Sequence, residues 1–163
     1  MTDLSLQQVA DFFNRSYKAV DGLWFMKVEE KYGFDSALEL DNEVWKVIPK
    51  IQARMIKSFL RLENGSAALL KSLVTKLELE GFKFTSEKKD NGFRITITNC
   101  PWHHLMIKSG REHLAKLVGK TVCTSEYQVW ASEIGKNIEF KLISQKCNKS
   151  ESCIMDFVCE CED

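Results

Sequence analysis

All six cysteines and all three histidines of this 163-residue chain lie after residue 99: Cys100, His103, His104, His113, Cys123, Cys147, Cys153, Cys159 and Cys161. Thiolate and imidazole donors suit zinc, iron or an iron–sulfur cluster, and they do not suit magnesium or calcium. Cys100-Pro101-Trp102-His103-His104 offers a thiol and an imidazole three or four residues on, close enough to share one ion. His104 is the nearer fit to one helical turn after Cys100, with His103 as the alternative. Cys123 is expected to open a helix, where the positive end of the macrodipole favours a thiolate. Cys147 and Cys153 flank the turn of the last expected hairpin, across which two ligands can approach. The expected metal set is Cys100, Cys123 and Cys153 with either His104 or Cys147.

A competing reading makes these thiols buried small hydrophobes, because their spacings match no zinc-finger template. Cys159 and Cys161 share strand parity with Met155 and Phe157, which suggests a core thiol followed by a tail. His113 is expected on a solvated helix face. No glycine-rich phosphate loop, Gly-x-Ser-x-Gly elbow or His-Glu-x-x-His is present. The one nucleophile arrangement is Cys100 with His103 or His104, acting as thiolate and base on the atoms a metal also claims. A second candidate surface lies in the N-terminal half. There Asp21, Trp24, Trp45 and Arg54 place an acid, indoles and a guanidinium on two helices, which suits a small-molecule pocket. Core packing by the tryptophans competes with that reading.

The elements that position these groups follow from periodicity. Ser5-Leu6-Gln7-Gln8 has capping-box form, and Val9, Phe12, Phe13, Tyr17, Val20, Trp24 and Val28 then recur at helical spacing up to Gly33. Asp35 or Asp41 is expected to cap the next helix. Its stripe of Val44, Trp45, Ile48, Ile51, Met55, Ile56 and Phe59 is interrupted by Pro49, where a bend or break is predicted. Residues 67–80 form a third helical pattern stopped by Gly81. The period then falls to two: Phe82 and Phe84, a turn at Asp90-Asn91-Gly92, and Phe93, Ile95 and Ile97 predict a hairpin. Helical spacing returns from Trp102 to Ile134, broken at Gly110 and Gly119, with Tyr127 to Ile134 as a separate short helix ended by Gly135. Ile138, Phe140 and Leu142, then Met155 and Phe157, predict two more strands. Helices, hairpin, helices and hairpin in that order predict an α+β fold with a mainly antiparallel sheet of about four strands. One domain, 1–163, is expected, with a helical part (1–81) and a sheet and cysteine-rich part (82–163).

Composition narrows the function. Lysine plus arginine equals aspartate plus glutamate, 23 each, so no net field draws in nucleic acid. The N-terminus lacks the basic and apolar regions of a secretory signal, and no stretch reaches the roughly 20 apolar residues of a membrane span. A cytoplasmic location with reduced thiols is expected.

Two segments carry a resemblance. Asp21-Gly22-Leu23-Trp24-Phe25 through Asp41-Asn42-Glu43-Val44-Trp45, and Cys100-Pro101-Trp102 with Ser109-Gly110-Arg111, Cys123, Trp130-Ala131, Cys147 and Cys153, resemble an uncharacterised family of methanogenic archaea and anaerobic bacteria. That family is distantly similar to vinyl-reductase-type ligand-binding domains and to L-2-amino-thiazoline-4-carboxylic acid hydrolases. The first likeness implies helices on an antiparallel sheet with a small-ligand or metal-binding role; the second implies cleavage of a cyclic amidine-like bond. Cys100, Cys123, Cys147 and Cys153 match the cysteine pattern, and Cys159 and Cys161 do not clearly match it. The leading expectation is a metal-binding protein holding zinc or iron, with a small-ligand or sensing role. The alternative is a hydrolase or thiol-dependent enzyme. A third reading is an interaction subunit, a homodimer through the first two helices.

Overall fold

The computed structural model describes residues 3–159. Six helices and four strands follow one another: α1 (Leu6–Tyr32), α2 (Phe34–Trp45), α3 (Ile48–Leu60), α4 (Ser66–Glu80), β1 (Lys83–Lys89), β2 (Gly92–Asn99), α5 (Pro101–Lys108), α6 (Glu112–Trp130), β3 (Ile138–Ser144) and β4 (Cys153–Cys159). A π-type turn, Ala131–Gly135, extends α6, and a 3₁₀ turn, Lys146–Asn148, joins β3 to β4. The sheet order is β1-β2-β4-β3 and every pairing is antiparallel, so the α+β arrangement expected from the alternating periods is the one formed. Among the described residues no helix is long and apolar enough to cross a membrane.

Local signals explain most boundaries. Ser5 and Gln8 close the capping box of α1 through reciprocal side-chain to backbone hydrogen bonds. Gly81 ends α4 with φ 83°, a left-handed conformation that disfavours a Cβ. Pro49 sits in the first turn of α3, where its missing N–H is tolerated, and the break it predicts falls at Lys46-Val47. The cap assignment needs correction. α2 begins at Phe34, leaving Asp35 inside its first turn, and α3 starts after Val47 with no side-chain cap. Gly110 does separate two helices, whereas Gly119 lies inside α6, which runs unbroken through Tyr127 to Trp130.

The chain divides into two compact units, Met1–Asp41 and Asn42–Asp163. In the first, Phe25 of α1 meets Phe34 of α2 edge to face at 5.9 Å. The second holds the sheet and its core. Phe93, Ile95 and Ile97 of β2, Met155 and Phe157 of β4, and Phe140 of β3 share one sheet face. That face packs with Leu69, Leu73 and Leu77 of α4, Ala53 and Ile56 of α3, and Tyr127 and Trp130 of α6. The alternate residues carry charge: Arg94 donates two hydrogen bonds to Asp156 across the strand pair, at 2.6 and 2.7 Å. Period-two patterning thus produces one apolar and one polar sheet face.

A charged group is nevertheless buried under the helices. Lys76 of α4, 2% exposed, forms ion pairs with Glu80 one turn on and with Glu126 of α6. Its ammonium also lies 5.4 Å from the Phe82 ring centroid and 5.5 Å from that of Tyr127, and the Trp102 indole N–H donates to Glu80 at 3.2 Å. Removing the cation leaves two carboxylates in a low-dielectric interior, which costs far more than the pair contributes when intact. Lys76→Met is therefore expected to lower stability by about 3–5 kcal/mol in urea unfolding, and adding Glu80→Gln and Glu126→Gln to recover much of that loss. A single variant within about 0.5 kcal/mol of the parent would contradict the network's role.

Candidate metal centre

Four cysteines reach one end of the sheet from four different elements. β2 ends at Asn99 and Pro101 opens α5, and the residue between them must be extended because a following proline excludes helical ψ. Cys100 accordingly has φ −111° and ψ 115° and serves as the N-cap of α5, its Sγ accepting the His103 backbone N–H at 3.5 Å. Cys153 begins β4 directly opposite Ile97 of β2, beside the same strand end. Its Sγ accepts the Lys146 backbone N–H at 3.2 Å, which ties the 3₁₀ turn to the start of β4. The Lys146 ammonium then donates to the Thr98 carbonyl at 2.7 Å, and Ser144 Oγ donates to the Ser152 carbonyl at 2.9 Å. The turn that carries Cys147 is thereby held over the end of β2.

α6 supplies the fourth thiol and the room for the third. A Cβ placed on Gly119 would lie 2.9 Å from Gln145 Nε2 and 3.3 Å from Cys147 Sγ, so the bare backbone there is what lets the turn approach the helix. Cys123 is four residues on, one turn along the same face. The expectation that Cys123 opens a helix fails, because α6 begins at Glu112 and the thiol sits in its interior, away from the positive helix end. Cys100, Cys123 and Cys153 all pack against the hydrophobic core.

The four thiols share one electrostatic neighbourhood. Burial pushes Cys100 up to about 11, and the nearby Cys153 adds to the rise. Cys147 goes up to about 12, first through burial and then through Cys100 and Cys153. Burial also raises Cys123 well above the ordinary thiol range, helped by Glu126 and by each of the other three thiols. Cys153 is raised by burial, against the Lys146 N–H and ammonium that favour its thiolate. Lys76 pulls in the lowering direction on Cys100, and Tyr127, raised well above its usual range by burial, senses Glu126, Cys123 and Cys100. The buried ion network therefore lies within electrostatic reach of Cys100 and Cys123. Among the described residues, no three His, Cys, Asp or Glu side chains stand as a ready-made group that could hold a metal ion, and no disulfide joins the described cysteines.

The histidines part company. His103 is buried, its imidazole lowered by that burial, and its Nδ1 has no hydrogen-bond partner. His104, the choice suggested by helical spacing, is exposed, because Cys100 caps α5 and so fixes which side of the first turn faces inward. His113 is exposed on α6, Cys159 ends β4, and Cys161 lies outside the described residues. Of the second candidate surface, Asp21 and Trp24 lie in the first unit, with Trp24 exposed. Trp45 and Arg54 lie in the second. Trp45 is buried edge to face against Trp102 at 5.6 Å, and Arg54 holds Glu133 with two hydrogen bonds at the mouth of a shallow cleft that Lys57 and Arg61 also line. Lys76, Glu80 and Glu126 are not singled out by the sequence, which marks Gly119 only as a helix break and His103 only as the alternative to His104. The one local sign was Lys76 and Glu80 falling on the Leu73 and Leu77 face of their helix.

A family model described as a family of unknown function, DUF6125, matches residues 2–162. The chain belongs to DUF6125. No curated protein and no solved structure matches it. The stretch matched by DUF6125 contains all six cysteines, so the thiol cluster lies wholly within the family domain.

Raised thiols tie stability to pH. An unfolded cysteine ionises near 8.5, whereas folded Cys100 and Cys147 keep their protons to about 11 and about 12. Above the unfolded value the native state binds more protons, so unfolding free energy falls as pH rises. The reduced, chelator-treated chain is expected to hold a constant urea midpoint up to about pH 8 and to lose it progressively toward pH 11, with a shallower decline in Cys147→Ala. A midpoint that stays flat to pH 10.5 would contradict the burial of these thiols.

Proposed function

We propose that this protein binds one zinc or iron centre through Cys100, Cys123, Cys147 and Cys153. The observation that carries this reading is that Cys100, Cys123 and Cys153 pack against one hydrophobic core while Cys147 Sγ lies against α6 at Gly119, one turn from Cys123. Burial holds all four thiols protonated, and a dication that displaces those protons supplies the charge that burial denies. A tetrathiolate set fits tetrahedral zinc or an iron–sulfur cluster. The buried His103, with its unpartnered Nδ1, is a better imidazole candidate in this reading than the exposed His104. Thiolate catalysis at Cys100 fits less well, since a nucleophile needs a lowered pKa and burial moves this one the other way. In this reading the metal ties the β3–β4 turn to α5 and α6, a structural or small-ligand-sensing role.

Elemental analysis of protein purified without oxygen tests the proposal. About one equivalent of zinc, or iron with visible absorption, is expected in the parent, and below about a tenth in a Cys100→Ser/Cys153→Ser variant that keeps its circular dichroism. Metal-free parent protein after supplementation with both ions, or undiminished metal in the variant, would overturn it.

A further inference from the structure

The first helix carries an exposed apolar stripe. Leu6, Phe12, Phe13, Val20, Leu23 and Trp24 fall on one side of α1, and all are exposed, Phe13 at 65%, Val20 at 68% and Trp24 at 65%. The partly buried positions of α1 mix apolar residues, Tyr17, Phe25 and Met26 among them, with polar ones such as Asn14 and Asp21. Leu6, Phe13 and Val20 also repeat at seven-residue spacing, the period with which one helix seats against another.

From this face we infer that α1 pairs with α1 of a second copy of the chain, forming a homodimer. Area supports that occupant. Six side chains of this size, exposed to this degree, present on the order of 700 Å² of apolar surface, above the ~300–600 Å² patch a monomer usually tolerates and close to the ~800 Å² per partner of a stable interface. Charge separates a second copy from a lipid surface. Along α1 Asp11, Asp21, Glu29 and Glu30 balance Arg15, Lys18, Lys27 and Lys31, so the helix lacks the basic polar face that draws amphipathic helices to anionic membranes. A self-complementary apolar face without net charge meets its own copy with no like-charge penalty, and a two-fold axis closes the assembly at two chains.

Light scattering on the full-length chain after size exclusion tests this. The expected mass is twice the chain mass of 18.8 kDa, falling to the single-chain value in Phe13→Lys/Val20→Lys, whose lysines keep helix propensity so that far-ultraviolet circular dichroism is unchanged. Phe13→Gln/Val20→Gln, which adds no charge, is expected to weaken the dimer in the same direction. A parent that is monomeric throughout the concentration range would overturn the inference. So would a dimer that survives both α1 variants, including one that instead dissociates on Phe59→Lys in α3.

Discussion

The close approach of the β3–β4 turn to α6 at Gly119 is the contact that sets Cys147 beside the helix that carries Cys123. A Cβ there would push aside the Gln145 amide and press on Cys147 Sγ, which would have to shift by a few tenths of an ångström. The turn is held from the other side by Lys146, whose N–H reaches Cys153 and whose ammonium reaches Thr98. One backbone hydrogen bond and one ammonium thus tie the loop to the ends of β4 and β2. Taking four thiols out of water in one place makes each harder to ionise, and that shared penalty is a favourable starting point for a cation that can displace the protons.

Beneath the thiols the Lys76, Glu80 and Glu126 network links the same helices by a different force. Glu126 sits three residues from Cys123 on α6, and Lys76 influences Cys100, so the ion network and the thiols share a boundary. Two carboxylates around one ammonium fix the facing sides of α4 and α6, while the aromatic rings of Phe82 and Tyr127 enclose the ammonium. The cost of burying these charges is offset only if the geometry is kept, which makes the region beside the cluster intolerant of rearrangement.

How much of this was legible depended on the range of the interaction. The Ser5 capping box, the Asp90-Asn91-Gly92 turn and the alternation of Phe93, Ile95 and Ile97 are encoded within a few residues and read directly as elements. Gly119 misled because glycine weakens an isolated helix by about 1 kcal/mol, yet here a contact 28 positions away, with Cys147, requires it. That misplaced break also put Cys123 at a helix start. Spacing alone narrowed the imidazole to His103 or His104; the sulfur cap of Cys100 turns His103 inward. The partnership of Lys76 with Glu126 spans 50 positions and leaves no local trace. In α1 the periodicity reveals an apolar face, and only the fold shows that Phe13, Val20 and Trp24 are exposed.

X-ray absorption at the metal edge of the loaded, full-length protein tests the central claim most directly, since it reads the atoms around the ion. A first shell of about four sulfur atoms near ~2.3 Å is the predicted result for zinc. A shell of nitrogen and oxygen near ~2.0–2.1 Å, with two sulfurs or fewer, would contradict the account.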